Sequence, residues 1–574
     1  MAPVFMALVF AAALVLATLA PAAAQAEALA PPEGALLESR MVDYGAPVPG
    51  SLLALNPFHA TAEGVDGDGN GVRLTTMNAH ANSWYILEVT LENGRTARYH
   101  LENSDPAEWR LSLTDEAEIY LESAEDAYAC APWQDGELAE AAASGLPYAP
   151  VCDWALFLRN EVSGNRSSRE AVSQFLRDNV LFGDSLVNLI KGAFYEDRFM
   201  ASSEELAAED PGAIVALLGQ AELDRRPAMR PRSGIEVEGS DNGAMQAGAW
   251  YAVEDAPGVF HSTMQSGMIA RSVFERAGGT NRLDGAENGA DVYLMAFDLS
   301  RFEIGYEVGT DHPRVDWSPR PSGAGRNYNT GGPDGFGTTA PLVRVGMISP
   351  SITDRIAATF TGGFKREHGA WRFGPRAQAN WGNHYGFMSN GVILSRLWPG
   401  LATLYMTDDG TVGMTTWSEE LEEELLPHLV FARQNGVPLI ENGVPGAEVQ
   451  SWGGGNWSGS ANADLRTLRS GACIREVDGR SFLIYAYFSA ATPSGQARTF
   501  QAYGCDYAMI LDMNSPELTY AAVYVQDEEA EEIRTMHLAD AMAGVDLTRR
   551  DGTRIPRFLS YADNRDFFYV ARRQ

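Results

Sequence analysis

The chain has 574 residues, 45% apolar and 10% aromatic, which is too long for one hydrophobic core and too apolar for a disordered protein. Its formal net charge is −33 and its isoelectric point about 4.6. So acidic a surface excludes nucleic acid and anionic lipid as partners, since both are bound chiefly through Lys and Arg. An anionic substrate would need a locally basic pocket inside this field.

In chain order, Val4 to Ala24 is almost wholly apolar and is followed by the small-x-small site Ala24-Gln25-Ala26. Residues 1–26 therefore read as a signal peptide, although no Lys or Arg precedes the apolar run; an uncleaved anchor is the alternative. The mature protein is expected to be secreted or periplasmic, with no membrane span after signal removal. Residues 27–48 are rich in Ala and Pro and read as a linker. Between 49 and 160 short alternating runs such as Trp84 to Thr90 and Glu118 to Leu121, with a turn at Asn93-Gly94, predict a small β-rich domain. Within it Asp66-Gly67-Asp68-Gly69-Asn70-Gly71 resembles the start of a calcium loop, but Met77 stands where the bidentate Glu belongs. A Gly/Asp-rich turn is the reading adopted.

Residues 161–232 are expected to be a helical region followed by a linker. Ser167-Ser168-Arg169-Glu170 fits a capping box ahead of Val172, Phe175, Leu176 and Val180, and Pro227 and Pro231 mark the linker. Strand signals dominate residues 235–574. Ala402 to Trp417 reads as a hairpin turning at Asp409-Gly410. Ser418 then caps a helix that Pro427 kinks and Asn435-Gly436 ends. Ser481 to Phe488 and Tyr507 to Leu511 read as buried strands. The fold class is α+β, with a mixed or antiparallel β-rich C-terminal domain. Four cysteines in an oxidising compartment read as two disulfides, most simply Cys130 with Cys152 and Cys473 with Cys505, out of three possible connectivities. No Cys-x-x-Cys and no His at ligand spacing accompany them, so neither a metal nor a cofactor is predicted.

Four segments occur in a telling order: Thr361-Gly362-Gly363-Phe364-Lys365; the apolar strand, glycine and hairpin from Gly391 to Trp417; Pro438 to Gly443 with Asn456-Trp457 and Arg466-Thr467; and Met509-Ile510-Leu511-Asp512-Met513-Asn514. Together they resemble the phosphodiester glycosidase family over roughly Trp250 to Gln526. The chain departs from the family at Thr361, where the family has Asn, and at Met513 to Glu517, which replace a glycine-rich loop. Thr lacks an amide's separate donor and acceptor ends.

The resemblance implies hydrolysis at a glycosyl phosphate, through an oxocarbenium-like state with phosphate leaving. That reaction requires a carboxylate at the anomeric carbon and donors for the phosphate. Asp512, where a buried strand opens into a turn, is the candidate carboxylate, against the plainer role of capping that turn. Arg466 is the candidate phosphate clamp, against a surface ion pair. Gly362 and Gly363 would allow close backbone approach, against a simple bulge, with Thr361, Lys365, Asn456 and Asn514 as further substrate contacts. Trp371, Trp381, Trp398, Trp417, Trp452 and Trp457 could stack on sugars, though large aromatics more often pack a core. Glu517 reads as solvated, and His368 and His384 are assigned no metal. No Gly-x-Ser-x-Gly elbow is present. The expected function is an exported hydrolase of sugar phosphodiesters or related glycosyl bonds, with a carbohydrate or glycosyl-phosphate substrate. The alternatives are a catalytically degenerate glycan-binding envelope protein and a structural envelope protein.

Overall fold

The computed structural model describes residues 26–166, 204–206, 218–240, 242–318, 326–369, 384–451, 463–527, 532–550 and 552–573. Residues 1–25 of the expected signal peptide 1–26, and the capped helix from Ser167 with its apolar positions to Val180, lie outside them. What is described is β-rich, with antiparallel sheets and few helices.

The largest sheet has eight strands in the order Tyr251–Ala252, Val259–Gln265, Asp291–Asp298, Arg480–Ala491, Thr467–Val477, Tyr507–Met513, Pro438–Glu441 and Val444–Pro445. Its central strands read as unbroken apolar runs because both faces are covered; all seven residues of Tyr507–Met513 are buried. One cover is the helix Pro493–Ala502, capped by the Thr492 side chain accepting from the Gly495 amide, with every residue buried. A five-stranded sheet runs Phe302–Glu307, Phe567–Arg572, Ile356–Thr361, Ala521–Asp527 and Glu532–His537. Another five-stranded sheet runs Val392–Ser395, Phe387–Ser389, Leu429–Gln434, Ala402–Thr407 and Val412–Thr416. The three sheets meet on aromatic rings: Phe360 lies 4.9 Å from Tyr485 and 5.2 Å from Phe568, and Phe431 lies 5.9 Å from Phe568. Each such ring removed from water contributes roughly 1.5–3 kcal/mol.

Residues 60–159 carry a six-stranded antiparallel sheet and most of a four-stranded one. They and the segment just before them are tied to the larger body by side chains that satisfy its backbone. Asn56 Nδ2 donates to the Ile393 carbonyl at 2.9 Å and Asn56 Oδ1 accepts from the Ile393 amide at 2.7 Å. Asn78 donates to the Gly391 carbonyl at 2.8 Å, and the Val343 amide donates to His100 at 2.9 Å. The Asp66 loop is a turn: its carboxylate accepts from Asp68, Asn70 and Trp133.

Three expectations need correction. Residues 27–48 are not all linker, because Gly34–Gly45 is a helix that buries Tyr44; the spacing of Leu37, Met41 and Tyr44 outweighs the Ala/Pro composition. The 228–230 stretch of the second linker is a strand paired with Met245–Gln246. The helix capped by Ser418 ends at Leu425 rather than at Asn435, because Pro427 cannot continue it, and Leu429–Gln434 returns as a strand. The hairpin at Gly410 forms as expected, with φ of +79° at the glycine. Both disulfides take the local pairing, Cys130 with Cys152 and Cys473 with Cys505.

Candidate active site

Strand Ile356–Thr361 ends in the turn Gly362-Gly363, and only glycine fits at either position. A Cβ on Gly362 would sit 2.5 Å from an Asp566 carboxylate oxygen. Gly363 has φ of +122°, and a Cβ there would meet the Asn435 side chain at 3.0 Å. Asn435 is fully buried and stitches two segments together. Its Oδ1 accepts from the Phe364 amide at 3.2 Å, and its Nδ2 donates to the Ile510 and Leu511 carbonyls at 2.7 and 3.2 Å. The glycine turn is thereby fixed against the strand that carries Asp512.

Asp512 is buried at the end of that strand. Its Oδ1 accepts from the Met513 amide at 2.8 Å, its carbonyl accepts from Ser470 Oγ at 3.0 Å, and its Oδ2 lies 3.3 Å from Arg565 Nη1. Tyr485 stands in the same neighbourhood and donates to the Thr519 carbonyl at 2.9 Å. Burial pushes the Tyr485 hydroxyl pKa up, hydrogen bonds with Ser470 and Thr361 oppose this, and the Asp512 charge adds to the rise.

The residue after Arg565 points elsewhere. Asp566 Oδ2 accepts from Arg433 Nε and from the Tyr306 hydroxyl, both at 2.9 Å, and its carbonyl accepts from the Gly362 amide at 2.8 Å. Asp566 Oδ1 is buried without a hydrogen-bond partner among the described residues. Arg433, itself fully buried over the Tyr385 ring, also donates to the Phe364 carbonyl at 2.9 Å. Burial works against its charge, but Tyr385 and Asp566 hold its pKa above the ordinary value.

The sequence-predicted residues divide into three groups. Thr361, Gly362, Gly363 and Asp512 lie in one neighbourhood, although the Thr361 hydroxyl is already engaged, donating to the Leu518 carbonyl at 2.7 Å. Asn514 braces the turn after Asp512: its amide donates to the Leu468 carbonyl at 2.8 Å and its side chain accepts from Thr467 at 3.1 Å. Arg466, the residue before Thr467, donates to Asp284 at 2.9 Å in a part-exposed pair. Lys365 is buried at the start of the short helix Arg366–Gly369, where its carbonyl accepts from the His368 and Gly369 amides. Asn456 and Trp457 lie outside the described residues, as do Trp371, Trp381 and Trp452. Trp417 is a core residue and Trp398 is half-buried. Glu517 is half-buried rather than solvated, and its carbonyl accepts from Arg557 at 2.7 Å.

Reading the sequence missed Arg433, Asn435, Arg565 and Asp566. Two polar runs could have flagged them: Arg433-Gln434-Asn435 ends an apolar strand, and Asp563 to Asp566 precedes one. As for metals, His384 is buried, accepts from the Ser318 amide at 3.1 Å, and is kept neutral chiefly by burial and then by Arg366. The one ligand-like grouping found among the described residues, Cys130, Glu137 and Cys152, has both sulfurs in a disulfide. A cavity of about 450 Å³ opens beside that disulfide, lined by Tyr128, Asp135, Glu137, Glu140 and Asp153.

No family model matches the chain, and no curated protein matches it in sequence. Among solved structures the chain is similar to the zebrafish N-acetylglucosamine-1-phosphodiester alpha-N-acetylglucosaminidase catalytic domain, auto-inhibited by its pro-peptide. The match has 12% identity and a TM-score of 0.27, and covers 56% of this chain and 85% of that one. A score that low establishes neither a shared fold nor a shared chemistry, and the functional argument rests on the residues.

Proposed function

We propose that this protein is an exported hydrolase that cleaves a sugar phosphodiester or a related glycosyl bond in envelope or extracellular glycans. The observation that carries the reading is Asp512: a buried carboxylate at a strand end, facing a guanidinium at 3.3 Å and held against a Gly-Gly turn. At the anomeric carbon such a group stabilises or attacks a developing oxocarbenium ion. Phosphate is a good leaving group, so the site needs donors for its charge more than a strong general acid. Arg466 suits that task because its pairing with Asp284 is part-exposed, and a surface pair of this kind is worth so little that a phosphate can displace it. Export is supported by the apolar N-terminus with its cleavage site and by two disulfides. No helix among the described residues is long and apolar enough to cross a membrane.

A second reading, a degenerate glycan-binding protein, draws on one observation: the Thr361 hydroxyl, at the position of the family's Asn, is spent on the Leu518 carbonyl. A panel of α- and β-glycosyl phosphodiesters presented to the purified mature protein separates the two. Release of sugar from any member is the expected result. Saturable binding with no release would establish the second reading in its place.

A further inference from the structure

We infer that Asp566 is a positioning residue of the Asp512 site, and that with Arg565 it makes the segment before the last strand part of the catalytic apparatus. The inference rests on the proposed hydrolase reading but extends it to residues outside the resembling region. Arg565 and Asp566 are adjacent in the chain and contact two different parts of the site, the Asp512 carboxylate and the Arg433 guanidinium behind the glycine turn. Arg565 reaches the Asp512 carboxylate. The backbone carbonyl of residue 566 accepts from the Gly362 amide, a bond any residue there would make, while the Asp566 side chain holds the turn by fixing Arg433, which donates to the Phe364 carbonyl. The strand Phe567–Arg572 that follows is hydrogen-bonded to both Phe302–Glu307 and Ile356–Thr361, so the pair is anchored on a rigid element.

The chemistry of the cluster distinguishes positioning from simple packing. Asp566 is almost completely buried, yet among the described residues only one of its carboxylate oxygens is used, by Arg433 and Tyr306. A buried carboxylate left half-satisfied is costly, and an apolar residue would fill the space at less cost. Its retention is explained if the negative charge has work to do in orienting Arg433 and the Gly362-Gly363 turn. Misplacing a reacting group by about 1 Å costs on the order of 100-fold in rate.

Two variants test this. Asp566→Asn keeps the volume and removes the charge; Tyr306→Phe removes a single donor to the same oxygen and is the milder change should the first fail to fold. Turnover of the best glycosyl phosphodiester and a crystal structure are obtained for each variant and for the wild type. The expected result is a kcat lowered on the order of 100-fold for Asp566→Asn and roughly 5-fold for Tyr306→Phe, with KM within about 2-fold. The Phe364 carbonyl and the glycine turn should also be displaced in the crystal. A lowered melting temperature with kcat per folded molecule and the turn unchanged would overturn the inference. If the wild type turns over nothing, the hydrolase reading falls, and the displaced or undisplaced turn still decides whether Asp566 positions it.

Discussion

Of the buried arginine–carboxylate clusters among the described residues, two are built differently. At the junction between the N-terminal sheets and the larger body, Arg159 is fully buried between Glu102 and Glu307, 2.6 Å from the latter, and sandwiched by Trp84 and Tyr148 at 4.6 and 5.1 Å. One guanidinium serves two carboxylates there, and burial pushes the Glu307 pKa up to about 7 against the pull of Arg159. Around Asp512 each guanidinium has its own carboxylate. Arg433 and Arg565 turn toward Asp566 and Asp512 beside a backbone turn that tolerates no Cβ. The junction ties the N-terminal sheets to the larger body with charge enclosed by aromatic packing, whereas the other cluster fixes a loop and leaves Asp566 Oδ1 without a partner among the described residues. Burial of charge alone does not mark a site; the groups toward which the charge is directed do.

The predictions bear on this contrast. Arg159→Met breaks the junction and strands two carboxylates, which should cost about 3–5 kcal/mol in denaturant unfolding while turnover per folded molecule is unchanged. Parallel loss of turnover would mean that the junction also shapes the site. The next effect is on pH. Burial pushes the His261 pKa down to about 4, below an unfolded value near 6.5, so the neutral ring belongs to the fold. Its contribution is complete above pH 6.5 and lost as pH falls toward 4. Relative to His261→Gln, the wild type should lose about 3 kcal/mol over that interval. A constant difference between the two would contradict the assignment.

At the site, Gly362→Ala drives a methyl group toward the Asp566 carboxylate and should lower kcat by about 10- to 100-fold while KM holds. A loss expressed only in KM would place the turn in ground-state binding. The smallest effect is expected from Thr361→Asn, which restores the family's residue but gives up the bond to the Leu518 carbonyl, a change of about 1 kcal/mol in stability. A gain of activity in that variant would show that Thr361 had impaired the pocket.

How much of this could be read from the sequence follows from the range of the interactions. The Gly410 hairpin, the Ser418 cap and the buried Tyr507–Met513 strand are written in local patterns, and they are where the pattern puts them. Asp512 is visible because it ends an apolar strand, and Gly362-Gly363 because they match a segment of the family the chain resembles. Arg565 and Asp566 are not, because what gives them meaning is pairing across the fold: strand Phe567–Arg572 lies beside Ile356–Thr361, which no local periodicity encodes. Arg466 is visible in the sequence because the family resemblance names residues by order along the chain. In the fold, strand order rather than chain order sets which arginine faces Asp512. The helix Gly34–Gly45 was overlooked for a simpler reason: Ala and Pro around it look like a linker until Tyr44 is seen packing on Leu429 and Trp417 in one core.

The most direct test of the account is turnover by Asp512→Asn, normalised to folded protein, on whichever glycosyl phosphodiester the wild type cleaves. A loss of about 10³-fold is expected, with an unfolding midpoint close to that of the wild type, because the group acts in the transition state. Turnover retained within a few-fold would remove Asp512 from the reacting centre and the proposed mechanism with it.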